Sequence, residues 1–93
     1  MSKSEPIFSK DAMVVNDLGL HARAAAKIAE LAVKAVSKVW VQMDQERVDA
    51  RSILDILTLG CQKGSKLTIV INDSSDRETL DRIIELVQNG FGE

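Results

Sequence analysis

His21 is the only histidine among the 93 residues, and Arg23 follows it two positions later. Both lie in Leu18-Gly19-Leu20-His21-Ala22-Arg23-Ala24-Ala25-Ala26, where an apolar stretch gives way to an alanine-rich run. A neutral imidazole is a nucleophile available near neutral pH, because its unperturbed pKa is about 6.5. Arginine adds a fixed positive charge and a fork of donors shaped for phosphate oxygens. A helix that begins at Ala22 puts His21 at its N-terminus, where the first N–H groups lack an internal partner and the dipole is positive. Such an end binds anions, phosphate above all. Nucleophile, anion hole and cation together can accept a phosphoryl group and hold it as phosphohistidine. Position alone leaves a plainer reading open, in which His21 is a polar surface residue or a local cap.

A second group with chemical potential is Ser52. In Ser52-Ile53-Leu54-Asp55 it reads as the N-cap of a short helix, with Asp55 in the place where a capping box prefers glutamate. Phosphate added there would face a favourable dipole; the plain alternative is a structural cap worth about 1 kcal/mol. Ile53 and Leu54 can leave an apolar outer face beside His21, which is a docking surface in outline. Lys27 and Arg51 can meet an acidic partner or can simply be solvated charges, since surface ion pairs carry little energy. Cys61 reads as a small packed residue rather than a reactive thiol.

The elements that must position these groups follow from periodicity. Ile7–Val15 reads as a first strand, broken by Asn16-Asp17, with Gly19 as a flexible turn. Ala22–Ala35 reads as a helix, burying Ala25, Ile28, Ala29, Ala32 and Val36 and showing Arg23, Lys27, Glu30 and Lys34 on one face. Val39–Met43 and Arg47–Ala50 pair as a hairpin across Asp44-Gln45-Glu46, the second being an edge strand. A short helix over Ile53–Leu59 stops at Gly60. Leu67–Ile71 alternates as a fourth strand. Ser75-Asp76-Arg77-Glu78 matches a full capping box, and Leu80, Ile83, Ile84 and Val87 then recur at helical spacing until Asn89-Gly90. The order β-α-β-β-α-β-α predicts an α+β fold, a small sheet with its helices on one face.

Composition narrows the function classes. The chain is long enough for one domain, taken as residues 7–93 after a short mobile arm at 1–6. Its net charge of −2 and its three aromatics, Phe8, Trp40 and Phe91, argue against nucleic-acid binding. No apolar run reaches the ~20 residues of a membrane span. The single cysteine excludes an internal disulfide and fits a reducing compartment, so a cytoplasmic monomer is expected. One histidine and one cysteine are too few for a structural metal site.

The segment Gly19-Leu20-His21-Ala22-Arg23 and the segment Asp49-Ala50-Arg51-Ser52-Ile53-Leu54, running into Leu57-Thr58-Leu59-Gly60 and Lys63-Gly64, together resemble the histidine-containing phosphocarrier (HPr) family of the bacterial phosphoenolpyruvate-dependent phosphotransferase system. The similarity covers nearly the whole chain after residue 6. It implies an open-faced β-sandwich, four antiparallel strands covered on one side by three helices. It implies that His21 is phosphorylated on Nδ1 by enzyme I, itself charged by phosphoenolpyruvate, and passes the group to the A domain of an enzyme II. Arg23 would meet the phosphate. Ser52 would be the serine phosphorylated by HPr kinase/phosphorylase in bacteria that have one, and charge there would disfavour docking of an acidic partner. Such a protein is a carrier without a cofactor, and its partners are the catalysts. One departure stands out: the family usually has proline directly after the arginine, where this chain has Ala24. Alanine keeps the helix but forgoes a preset φ in its first turn.

The residues leave three readings open. The first is the phosphocarrier, serving either sugar uptake or the nitrogen-related branch of the same relay. The second is a regulatory module of the same fold, whose phosphorylation state another protein reads. The third is an independent enzyme, disfavoured because no second general base stands beside His21 in the sequence and no carboxylates form a catalytic motif.

Overall fold

The computed structural model describes residues 8–93, so the arm at 1–6 and Ile7 lie outside the described residues. Four strands, β1 (Phe8–Met13), β2 (Val39–Met43), β3 (Glu46–Asp49) and β4 (Lys66–Ile71), form one sheet in the order β1-β4-β2-β3. Every neighbouring pair is antiparallel. The helices α1 (Ala22–Ala32), α2 (Ile53–Thr58) and α3 (Arg77–Gln88) complete the order read from the sequence. α3 packs on β1 and β4, α1 packs on α3 and α2, and α2 meets β3. The result is the open-faced sandwich, with helices on one side of the sheet.

Alternation with a period of two sends one set of side chains into the core. Leu67, Ile69 and Ile71 of β4 and Val41 of β2 are fully buried beneath the helices, as is Val14 just past β1, and Ala12 within β1 is buried beside them. The helices answer with Ala24, Ala25, Ile28 and Ala32 from α1 and Leu80, Ile83, Ile84 and Val87 from α3. The predicted stripe of α3 is thus the one observed. Alanine on α1 lets its backbone approach the neighbouring helices closely. Trp40 points to the opposite, open face, with the Lys38 amine 5.3 Å and the Arg47 guanidinium 5.9 Å from its ring centre.

Two expectations need correction. α1 ends at Ala32 rather than Ala35, and Val36 is exposed, not part of the buried stripe. The cause is the buried Asp76, whose carboxylate accepts the N–H groups of Val36 and Ser37 at 2.9 and 3.0 Å. A charge-assisted bond to backbone donors competes well with continued helix. The same contact undoes the capping box at Ser75. Asp76, not Ser75, is the residue that precedes α3, and its side chain makes no cap bond to that helix. Ser75 instead belongs to a short 3-10 turn, Ser74–Asp76, capped by Asp73.

The turns fit their residues. The β2–β3 loop is two residues long, with Asp44 at φ 55°, a left-handed conformation that aspartate tolerates. Gly19 is more demanding. It has φ +68°, and a Cβ placed there would lie 2.6 Å from the Cys61 carbonyl oxygen. Leu20 N–H donates to that same carbonyl at 3.0 Å, which fastens the chain immediately before His21 to the loop ahead of β4. Cys61 is buried and donates to Met43 Sδ at 3.3 Å. Burial, with the nearby charges of Asp44 and Glu46, pushes its thiol up to about 11, so it packs rather than reacts.

Candidate functional site

His21 occupies the N-cap of α1 in an extended backbone conformation, φ −79° and ψ 179°. Its carbonyl accepts the Ala25 N–H at 2.9 Å, the first turn of the helix. Its ring turns back over the helix end, and Nδ1 accepts the Arg23 N–H at 3.2 Å. A nitrogen that accepts carries its lone pair, so Nδ1 is the basic nitrogen in this arrangement. The other ring nitrogen, Nε2, is hydrogen-bonded to the Glu93 carboxylate. An ionised carboxylate only accepts, which places the ring proton on Nε2. The two side chains are 22% and 23% exposed, sheltered enough to hold one geometry and open enough for a partner to reach.

Asn16 locks this arrangement from beneath. It is buried, and its Nδ2 donates to the Gly19 carbonyl at 2.8 Å and to Glu93 Oε1 at 3.1 Å. Glu93 is brought there by a left-handed turn after α3, with φ of 64°, 60° and 78° at Gly90, Phe91 and Gly92. Phe91 pays the cost of its positive φ by full burial, and the Lys27 amine donates to its carbonyl at 2.7 Å. Partial desolvation works against the Glu93 charge, but the hydrogen bonds from His21 and Asn16, with the charge of Arg23, outweigh it and hold its pKa below the ordinary value.

Among the residues singled out from sequence, His21 and Arg23 therefore stand together at the α1 N-terminus. Lys27, one turn further along α1, spends its amine on the C-terminal turn. Sequence reasoning missed Glu93 and read Asn16 only as a strand breaker. The one available signal was Gly90-Phe91-Gly92, whose glycines permit a tight return of the chain.

Ser52 caps α2. Its Oγ accepts the Asp55 N–H at 3.2 Å, while its own N–H goes to the Asp49 carbonyl at 3.1 Å. Only half of a capping box is formed, since the short Asp55 side chain does not return to Ser52. Arg51 folds back on Asp49 through its backbone N–H and its guanidinium. Its hydrogen bonds, opposed by burial and helped by Lys38, lower Asp49 to about 2. Leu54 is 75% exposed and Ile53 37%, so the outer face of α2 is apolar and open as expected, and Leu18 adds a further exposed side chain at 69%. Among the described residues, no group of three His, Cys, Asp or Glu side chains could hold a metal ion. No helix is long and apolar enough to cross a membrane among those residues.

Comparison with known proteins agrees with the resemblance. Residues 8–89 match the family described as the PTS HPr component phosphorylation site. A phosphocarrier protein HPr of Cupriavidus necator is 37% identical over 87 residues, 94% of this chain and 98% of the relative. The crystal structure of an HPr from Thermoanaerobacter tengcongensis superimposes with a TM-score of 0.82 at 33% identity, covering 92% of this chain and 97% of that one. A crystal structure from the same organism, described as an HPr dimer, gives 0.67 at 36% identity, with 81% of this chain and 86% of that one covered. The chain belongs to the HPr family, the phosphocarrier proteins of the phosphotransferase system, and its role is that of a carrier rather than an enzyme.

Proposed function

We propose that His21 is the phosphoryl acceptor, taking the group on Nδ1 from phosphorylated enzyme I and passing it to the A domain of an enzyme II. The observation that carries this reading is the Nδ1 lone pair, which faces the Arg23 N–H at the open N-terminus of α1. In-line phosphoryl transfer asks a protein for position and charge stabilisation more than for covalent chemistry. Helix end and arginine supply both. A carrier must also let its cargo go, and one helix end with one arginine holds a phosphate only modestly.

Ile53 and Leu54, exposed on α2, form the apolar part of the docking surface for both partners. Arg51 lies at its rim, paired with Asp49. Lys27 serves the site indirectly, by fastening the turn that carries Glu93. Ser52 is the regulatory position: phosphate added by an HPr kinase/phosphorylase would place negative charge where an acidic partner docks. The protein acts in the cytoplasm as a monomer, with sugar uptake as the process served and the nitrogen-related branch as the alternative.

The deciding experiment incubates the chain with phosphoenolpyruvate and enzyme I and follows intact mass. Wild type should gain one phosphate, lost in acid and stable in base. His21→Ala should gain none while keeping its circular dichroism spectrum. A wild type that takes no phosphate would favour the regulatory module instead.

A further inference from the structure

The first turn of α1 leaves a buried donor unused. The Ala25 N–H goes to the His21 carbonyl and the Arg23 N–H to His21 Nδ1. Between them, the Ala24 N–H has no acceptor among the described residues. Water does not supply one either, because Ala24 is 0% exposed. The corresponding amide of α2, that of Asp55, is taken by its cap, Ser52 Oγ. At α1 the cap serves the second residue of the helix, and the third is left over. A buried N–H without a partner is rare and destabilising. Its place beside a nucleophilic nitrogen suits an acceptor that arrives later.

We propose that the Ala24 N–H is a phosphoryl-binding donor, idle in the free protein and bonded to a phosphoryl oxygen once His21 is loaded. This rests on His21 being the acceptor. Attack on phosphorus uses the Nδ1 lone pair that the Arg23 N–H now occupies. As the Nδ1–P bond forms, the bond from phosphorus to the donor breaks and its electron pair stays with the donor. The Arg23 N–H loses its acceptor and turns to a phosphoryl oxygen. Helical N–H groups point along the axis toward the N-terminal end, so the Ala24 N–H faces the same incoming group. Its oxygens are charged, and bonds to charged acceptors are roughly twice as strong as neutral ones. A contact absent from the free protein and present in the loaded one stabilises the loaded state alone, and so shifts the loading equilibrium by its full worth. The residue type decides this. Proline, usual at this place in the family, fits a helix's first turn but has no N–H. With alanine there, the protein holds its phosphoryl group more firmly than the same chain would with proline, and gives it up more slowly.

The test is a competition. Phosphorylated wild type is mixed with unloaded Ala24→Pro and a trace of enzyme I, which passes the group in both directions until equilibrium, and intact mass reads the partition. Wild type should end about tenfold more loaded than Ala24→Pro, the scale of one hydrogen bond to a charged group. Ala24→Gly keeps the N–H and only loosens the turn, so it should lose much less loading than Ala24→Pro. Amide NMR of wild type should show the Ala24 proton moving downfield on loading. An even partition between wild type and Ala24→Pro would overturn the proposal, as would an equal loss in Ala24→Gly or an Ala24 amide unmoved by loading. If Ala24→Pro does not fold by circular dichroism, an ester in place of the Arg23–Ala24 amide, which deletes the N–H without the proline ring, enters the same competition with the same two outcomes. A wild type that accepts no phosphate at all would instead sink the assignment of His21, and the proposal with it.

Discussion

The N-termini of α1 and α2 use the same local device and differ in everything around it. At each, a polar side chain of the N-cap accepts a backbone N–H from the first turn, at 3.2 Å in both cases. Around His21 the chain closes from three directions: the Gly19 turn, the buried Asn16 and the returning Glu93. Around Ser52 it stays open, on a six-residue helix with a single buried residue, Ile56. Asp55 adds a negative charge to that first turn, whereas α1 has no acid in its own. Under the proposed function, the difference separates two tasks. A site that must hold and release a charged group needs a prearranged ring. A site that only reports a charge to a partner needs exposure, and its neighbours can be apolar and unpaired.

Perturbations of the closed site should be expensive and those of the open site mild. The largest effect belongs to Phe91→Ala. It removes a fully buried ring at the base of the Glu93 turn and should cost about 3–5 kcal/mol in urea unfolding, with Glu93 released from His21. Gly19→Ala comes next, because both its positive φ and the Cys61 carbonyl oppose a methyl group. A loss of about 2–4 kcal/mol is expected, again by urea unfolding. If either variant left the His21 ring nitrogens unshifted in NMR, the idea of a prearranged site would fall.

Ser52→Asp tests the other side of the comparison. It should leave stability and the His21 ring unchanged while slowing phosphorylation by enzyme I about fivefold, the worth of one screened like-charge contact near 1 kcal/mol. Transfer at the wild-type rate would deprive Ser52 of its regulatory part. The smallest effect is acid sensitivity at the α2 entry. Asp49 is lowered from 3.8 to about 2 by the folded state. A depressed carboxylate contributes fully above its unfolded pKa and loses that contribution as pH falls through the folded one. The window is therefore between about pH 4 and pH 2, and the loss should stay under about 1 kcal/mol because Lys38 and Arg51 are half exposed. Asp49→Asn should flatten that part of the thermal stability profile, and hydrogen exchange should show loosening at α2 before α1.

Much of this architecture was legible in the residues because it is local. Alternation marked β4, and the i, i+3, i+4, i+7 spacing marked α3 down to its four buried side chains. Ser52 announced its cap, and His21 with Arg23 announced a helix end fit for an anion. What escaped was set by contacts across the chain. Asp76 stops α1 from 40 residues away, so no inspection of Lys34-Ala35-Val36 could have ended that helix. The same carboxylate turned a well-formed capping box into a short turn. Glu93 could not be assigned to His21 from its neighbours, because its place depends on the handedness of three residues and on the burial of Phe91.

The single tryptophan has a practical consequence of its own. Trp40 sits on the uncovered side of the sheet between two cations, while His21 and the α2 surface belong to the helical side. Its emission should thus remain blind to phosphoryl loading and to docking over the helices. Any fluorescence change on mixing with a partner would signal an encounter with the sheet, so the protein carries its own optical reference for telling front from back.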